Sequence, residues 1–321
     1  MGHQNWHPLT DPEILKARAA LLRQIRHFFE TRQVLEVDTP ILSGSAGTEP
    51  TLHPITASLD NGADTPAEFF LQTSPEFAMK RLLAADSGPI FQLARSFRNG
   101  EVGRHHNPEF MLLEWYRPGY SMVDLMDEVD TLIGEVLGKP IAQRITYRNL
   151  FLQKLAVDPW SASSKELQEL ARSRLDISME NSDPDLWLDL LFSHCIQPTL
   201  KEPIFITHYP PSQAALATIA EDEDGLPVAL RFELAIDGME LANGYQELTD
   251  ADEQENRFKA ELVRRRELNL PEYPVDERFL AALRHGIPDC SGVALGVDRL
   301  LMLKTGAKTI QDVMPFPIDV A

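Results

Sequence analysis

The segment Glu109-Phe110-Met111-Leu112-Leu113-Glu114-Trp115-Tyr116 mixes apolar residues with a carboxylate and a phenol. Read as a strand, its period of two puts Phe110, Leu112, Glu114 and Tyr116 on one face. Met111, Leu113 and Trp115 take the other, a purely apolar core face. The preceding loop, Arg98-Asn99-Gly100-Glu101-Val102-Gly103-Arg104-His105-His106, supplies cations that could meet an anion beside the first, aromatic face. Taken singly, an amphipathic strand with one wet face and surface salt bridges are the better account of these residues.

A second group lies at Asp237-Gly238-Met239-Glu240-Leu241-Ala242-Asn243-Gly244-Tyr245-Gln246-Glu247. Strand carboxylates bind Mg²⁺ well when phosphate oxygens complete the octahedron. Glu240 and Glu247 are seven apart, so a regular strand points them to opposite faces. A shared metal role requires a bulge, and Gly244 is the expected place for it. Asp298-Arg299 opens a helix after Gly296, where an arginine opposes the helix dipole unless an anion or a carboxylate compensates. Thr73-Ser74-Pro75-Glu76 fits a capping box, with Thr73 at the N-cap and Glu76 at N3. A capping Glu76 and a substrate-contacting Glu76 are both compatible with that pattern. Neither common phosphate cradle is present. Gly134 to Pro140 is one residue short of a P-loop, and Ser291 to Gly296 is not GxGxxG.

The elements that must carry these groups are legible from periodicity. Residues 13–30 have helical spacing, 34–42 are extended, and 43–66 form a Gly/Thr/Pro/Asp-rich loop. Strands are expected at 68–72, 90–97, 109–117, 203–208, 228–236, 239–248 and 291–296, with Asp237-Gly238 as a hairpin turn. Helices are expected at 122–137, closed by Gly138 and Pro140, through 146–196, at 250–268, and from 297 to 305 before Gly306. Recurrent hairpins favour an α+β fold with an antiparallel sheet over a Rossmann alternation.

Composition narrows the class. Of 321 residues, 43% are hydrophobic and 25% charged, which suits a globular chain. The formal net charge of −19 lacks the basic footprint of a nucleic-acid binder. No apolar run or signal segment points to a membrane. Two distant cysteines, Cys195 and Cys290, suggest a reduced cytoplasm.

In this order the pieces resemble class II aminoacyl-tRNA synthetases. Pro40 after a helix and short strand resembles motif 1. Phe97-Arg98-Asn99 through Arg104, His106-Asn107-Pro108-Glu109-Phe110 and Glu114-Trp115-Tyr116 resemble motif 2. Gly296-Val297-Asp298-Arg299 resembles motif 3. Thr73 to Glu76, His208-Tyr209-Pro210, Arg231-Phe232-Glu233 and Glu240 through Glu247 look like the lysine-specific branch. The resemblance covers residues 13–317 and implies a single catalytic domain over 1–321, an antiparallel sheet flanked by helices, with no anticodon-binding barrel. That short form is similar to paralogues that activate (R)-β-lysine with ATP and Mg²⁺ and join it to a lysine of elongation factor P. The resemblance further implies a cytoplasmic homodimer that uses no tRNA. A minimal tRNA-charging enzyme and a non-catalytic lysine-binding paralogue are the competing expectations.

Carried over by position, Arg98 holds the α-phosphate and the substrate carboxylate, while Arg104 and Arg299 face the distal phosphates. Arg299 and Phe110 sandwich adenine. His106 lines the nucleotide site, to which Asn107 and Gly296 also belong. Glu240 and Glu247 hold Mg²⁺. Glu76 and Asn243 contact the amino-acid head, Glu114 and Tyr116 take the side-chain ammonium, and Ala294 stands beside the pocket where the lysine branch has Gly. One departure stands out: where motif 2 has Phe-Arg-x-Glu, this chain has Gly100 followed by Glu101.

Overall fold

Asp11 starts the first helix by accepting a hydrogen bond from Ile14 N at 3.0 Å, and Pro12 supplies a preset φ where no intrahelical bond is needed. The computed structural model describes residues 6–60, 62 and 67–321. Within it the chain divides into two compact units, Met1–Tyr120 with Leu248–Ala321, and Ser121–Glu247.

Unit 1 opens with α1 (Pro12–Glu30), β1 (Leu35–Glu36), β2 (Leu42–Ser43), β3 (Ile55–Leu59), β4 (Ala67–Leu71), α2 (Glu76–Ala84), β5 (Ile90–Phe97) and β6 (Glu109–Pro118). Unit 2 follows with α3 (Met122–Leu137), β7 (Gln143–Thr146), α4 (Tyr147–Leu155), α5 (Ser164–Arg174), α6 (Pro184–Leu191), β8 (Ile204–Tyr209), β9 (Ile219–Glu221), β10 (Pro227–Ile236) and β11 (Met239–Gln246). The chain then completes unit 1 with α7 (Ala251–Glu267), α8 (Glu277–His285), β12 (Cys290–Gly296) and α9 (Val297–Thr305).

In unit 1, β6 lies antiparallel between β5 and β12, and the short β1 adds in parallel to β5. The apolar face of β6 packs on α1. Phe29 stacks on Phe91 at 4.5 Å between ring centroids and meets Trp115 edge-on at 5.2 Å. A separate small sheet, β2-β4-β3, includes part of the segment expected to be loop. Of that segment, residues 61 and 63–66 lie outside the described residues.

In unit 2, β8, β10 and β11 are antiparallel, with β7 parallel to β8 and β9 on β10. Tyr147, Phe151, Trp187 and Leu191 form the heart of its core. The stretch expected to be helical holds three α-helices separated by breaks. Among the described residues no helix is long and apolar enough to cross a membrane.

The hairpin between β10 and β11 turns on Asp237 (φ 52°) and Gly238 (φ 74°), the two positive values a tight two-residue turn requires. A Cβ on Gly238 would meet Gln197 O at 3.3 Å. Gly238→Ala is therefore expected to destabilise the fold by about 1–3 kcal/mol through strain at positive φ and crowding. An unchanged urea midpoint would show that the turn relaxes freely.

Candidate active site

The motif 2 strand acquires its chemistry from its neighbours. Register places Gln92 and Ala294 on either side of Glu114, and Ile90 and Gly292 on either side of Tyr116. Both faces of β6 are closed here, so Glu114 is only 2% exposed rather than standing on a wet surface. Tyr116 Oη donates to Glu114 Oε1 at 2.6 Å, and Ser74 Oγ donates to Oε2 at 2.8 Å. Burial, and then the nearby charge of Glu76, push the Glu114 carboxyl up to about 8. A buried carboxylate framed by two hydroxyl donors is built to receive a cation.

Glu76 begins α2, but the capping box expected from Thr73 does not form. The N-cap is Pro75, whose ring carries no side-chain acceptor, and Ser74 Oγ accepts from Glu76 N at 3.0 Å instead. The Glu76 side chain is released from capping and pairs with Lys80, Nζ to Oε1 at 2.6 Å.

The anion-binding candidates of unit 1 cluster at the β5–β6 loop and the start of α9. Arg98 lies over Phe110, Cζ 5.1 Å from the ring centroid, and its Nη1 is 3.7 Å from Glu101 Oε1. Its Nε is buried without a hydrogen-bond partner among the described residues. A buried N–H left over on a guanidinium suits a phosphate or carboxylate oxygen. Gly100 adopts φ 83°, a conformation that a glutamate would strain to reach, and Glu101 provides the loop's carboxylate.

Arg299, in the first turn of α9, donates from Nε to His105 O at 3.2 Å and from Nη2 to His106 Nε2 at 2.8 Å. His106 thus accepts as a neutral imidazole with its proton on Nδ1. Gly296, the N-cap of α9, leaves room for the Arg299 side chain. A Cβ there would stand 3.4 Å from Arg299 Cδ.

Arg104 is held from Nε by Lys308 O at 2.9 Å. Asn107 spends both ends of its amide on backbone, donating to Glu109 O at 2.6 Å and accepting from Ile318 N at 3.0 Å. Asp298, which the sequence flagged only as part of a motif, is a buried tie. It accepts from Arg18 Nη2 at 2.5 Å and from Met111 N at 2.8 Å, fixing α1, β6 and α9 to one another. Its adjacency to Arg299 was the available signal.

Unit 2 carries the other polar face. The β10–β11 register pairs Leu234 with Ala242 but Ala235 with Glu240, leaving Leu241 as the extra residue. The bulge required by the carboxylate spacing therefore exists, but at Leu241 rather than Gly244. Gly244 keeps regular pairing with Phe232, whereas the buried Leu241 is accommodated in the core. Beyond the bulge, alternation carries Asn243, Tyr245 and Glu247 on the face that holds Glu240. Two carboxylates on one face are oxygen donors of the kind Mg²⁺ takes. Among the described residues no group of three or more His, Cys, Asp or Glu side chains gathers as a metal cage. A two-carboxylate site of this kind fits Mg²⁺ that shares phosphate oxygens.

Asn243 Oδ1 accepts from Arg231 Nε at 3.2 Å, and Arg231 Nη2 reaches Glu233 Oε1 at 2.6 Å. Arg231 also donates to Gln213 O at 2.8 Å and lies 4.6 Å from the Tyr209 ring centroid. This half-buried network holds Asn243 from beside it on the same face. Burial and then the charge of Glu240 push the Glu233 carboxyl up to about 7.

Residues 10–320 match the family described as tRNA synthetases class II (D, K and N). Two curated relatives are named elongation factor P–(R)-β-lysine ligase, from Pectobacterium carotovorum subsp. carotovorum (strain PC1) and Yersinia enterocolitica serotype O:8 / biotype 1B (strain NCTC 13174 / 8081). Each is 47% identical to this chain over 320 residues, covering 98% of both sequences. With the family model matching nearly the whole chain, the chain belongs to the class II tRNA synthetase family.

Proposed function

We propose that this protein is a ligase that activates (R)-β-lysine with ATP and transfers it to a lysine side chain of elongation factor P. The observation that carries this reading is the buried Glu114, framed by Tyr116 and Ser74, on the strand that follows Arg98. A lysine-type donor needs a carboxylate for its distal ammonium, because an unpaired buried cation is costly. The names of relatives that align over nearly the full chain support the same choice.

In this reading Glu114 and Tyr116 bind the distal ammonium, and Glu76 and Asn243 the head of the donor. Arg98 steers the donor carboxylate toward the α-phosphorus, where a new P–O bond forms as pyrophosphate leaves. Arg98, Arg104 and Arg299 stabilise the charge spreading over the phosphates. Phe110 and Arg299 hold the adenine ring, with His106, Asn107 and Gly296 shaping that side. Mg²⁺, held by Glu240 and Glu247, neutralises phosphate charge when bound. The neutral amine of an acceptor lysine then attacks the acyl carbon, AMP leaves with the bonding electrons, and the new amide nitrogen gives up its extra proton to solvent. In this reading the chain works as a single catalytic domain, in a cytoplasmic homodimer without tRNA.

Pyrophosphate exchange with α-lysine and both β-lysine enantiomers, followed by transfer to elongation factor P or tRNA, tests the proposal. Exchange favouring (R)-β-lysine with transfer to the protein is expected. Aminoacylation of tRNA at a useful rate would overturn it.

Ala294 supplies a finer expectation. Its Cβ shares a face with Glu114 directly across the strand pair. Overpacking a tight site costs about 1–3 kcal/mol, and in a β-amino acid the amino group sits one carbon further from the carboxylate. Ala294→Gly is expected to improve activation of α-lysine relative to (R)-β-lysine by roughly tenfold. An unchanged ratio would mean that the methyl does not read the donor.

A further inference from the structure

Lys80 is used by none of the chemistry above, yet it is among the most deeply buried charged groups of unit 1. Its side chain is 1% exposed, one helical turn beyond Glu76 on α2. The ammonium lies 2.6 Å from Glu76 Oε1 and 5.8 Å from the centroid of the Phe279 ring on α8. Removing an ammonium from water costs more than a single ion pair ordinarily returns, and an apolar pair of similar volume would pack α2 on α8 at least as well. Stability alone gives no reason for a lysine here.

The local charge arrangement does. Glu76 and Glu114 repel each other, and Lys80 acts on both, opposing the rise of the Glu114 carboxyl while holding Glu76. With Oε1 committed to Lys80, the Glu76 carboxylate has a fixed direction and its Oε2 remains for another donor.

We propose that Lys80 is a positioning residue, an internal ammonium that fixes the Glu76 carboxylate so that it can receive the amino group at the head of the donor amino acid. The assignment rests on the reading that Glu76 contacts that head. In that reading Lys80 serves Glu76 and contacts neither ATP nor the reacting carboxylate. Its loss should therefore appear in donor recognition and leave nucleotide recognition alone.

Steady-state pyrophosphate exchange with (R)-β-lysine separates the possibilities. Lys80→Met is expected to raise the KM for the donor at least tenfold while the KM for ATP stays within twofold. The double variant Lys80→Met/Glu76→Gln is expected to lose clearly less than the two single losses combined, since both changes remove the same ion pair and only the weaker influence of Lys80 on Glu114 is left to add. It also removes both members of the Lys80–Glu76 ion pair, so it serves as the folded comparison if Lys80→Met loses its structure. An effect of Glu76→Gln on donor KM without one from Lys80→Met would overturn the role of Lys80. So would losses that add in the double variant, or a fall in thermal midpoint with donor KM unmoved; either makes Lys80 a packing residue. No effect of Glu76→Gln would instead sink the placement of Glu76 at the donor, and the proposal with it.

Discussion

Glu114→Gln is expected to raise the KM for the donor by roughly 30-fold to 1,000-fold, the equivalent of about 2–4 kcal/mol for a lost ion-paired hydrogen bond in a buried site. The amide keeps the shape and can still accept from Tyr116 Oη or Ser74 Oγ, so the loss reports charge rather than packing. Discrimination against a neutral isostere of lysine should shrink by the same factor. Selectivity that survives intact would place the ammonium elsewhere.

The same substitution should alter the pH profile. With its carboxyl pushed up to about 8 by burial and by Glu76, Glu114 is mostly protonated at neutral pH before donor binds. The donor's ammonium requires the ionised form. In the wild-type protein, kcat/KM for the donor should therefore rise about tenfold per pH unit toward pH 8 and level off above it. Glu114→Gln should lack that limb.

Stability should respond with the opposite sign. Below the ordinary carboxyl value of 4.5, Glu114 is protonated in both folded and unfolded chains. Between 4.5 and about 8 the unfolded chain ionises first, so the contribution of Glu114 to stability declines as pH rises through that window. The thermal midpoint of Glu114→Gln should accordingly gain on wild type between pH 5 and pH 8. A difference that is flat with pH would contradict the buried, raised carboxyl.

Glu247→Gln is the second large effect. Glu247 is buried at the end of the β11 face that also carries Glu240, and that shared face depends on the bulge at Leu241. Replacing one of two carboxylates halves the anionic oxygens offered to Mg²⁺, and loss of a preorganised charge partner for phosphoryl chemistry costs on the order of 100-fold to 1,000-fold. Pyrophosphate exchange should fall by that factor, and the Mg²⁺ concentration for half-maximal exchange should rise. Circular dichroism should be unchanged, since Gln fills the same volume. Exchange at the wild-type rate would remove Glu247 from the metal site.

Sequence periodicity located most long elements because each has one dominant face. The α1 pattern of Leu21, Ile25, Phe28 and Phe29 is the set that is buried, and Asp237-Gly238 made its hairpin. The short strands β3, β7 and β9 escaped notice because three to five residues carry too little alternation to register. The bulge was foreseeable as a requirement but not in its place. Gly244 looked permissive, yet register is decided by which neighbours pair across β10, information that is non-local. Ser74 replaced Thr73 as the group serving the start of α2 for a similar reason: its hydroxyl is also drawn to Glu114, forty residues on. Lys80 was invisible as a site, since a lysine four residues after a glutamate on a helix reads as solvated surface. Tertiary packing, with Phe279 of α8 nearby, removes the water.

Unit 2 occupies the middle of the chain, so unit 1 is assembled from two segments separated by Ser121–Glu247. During synthesis the whole of unit 2 leaves the ribosome before β12 exists. Pairing of Gly292 with Tyr116 and of Ala294 with Glu114 then closes a loop of well over a hundred residues, an event whose entropic cost grows only slowly with length but whose timing is late. A nascent chain stalled ahead of Cys290 leaves the far edge of β6 unpaired and open to other strands. The strand beside Glu114 is therefore the last to arrive, and the wall that carries Ala294 is a product of final assembly.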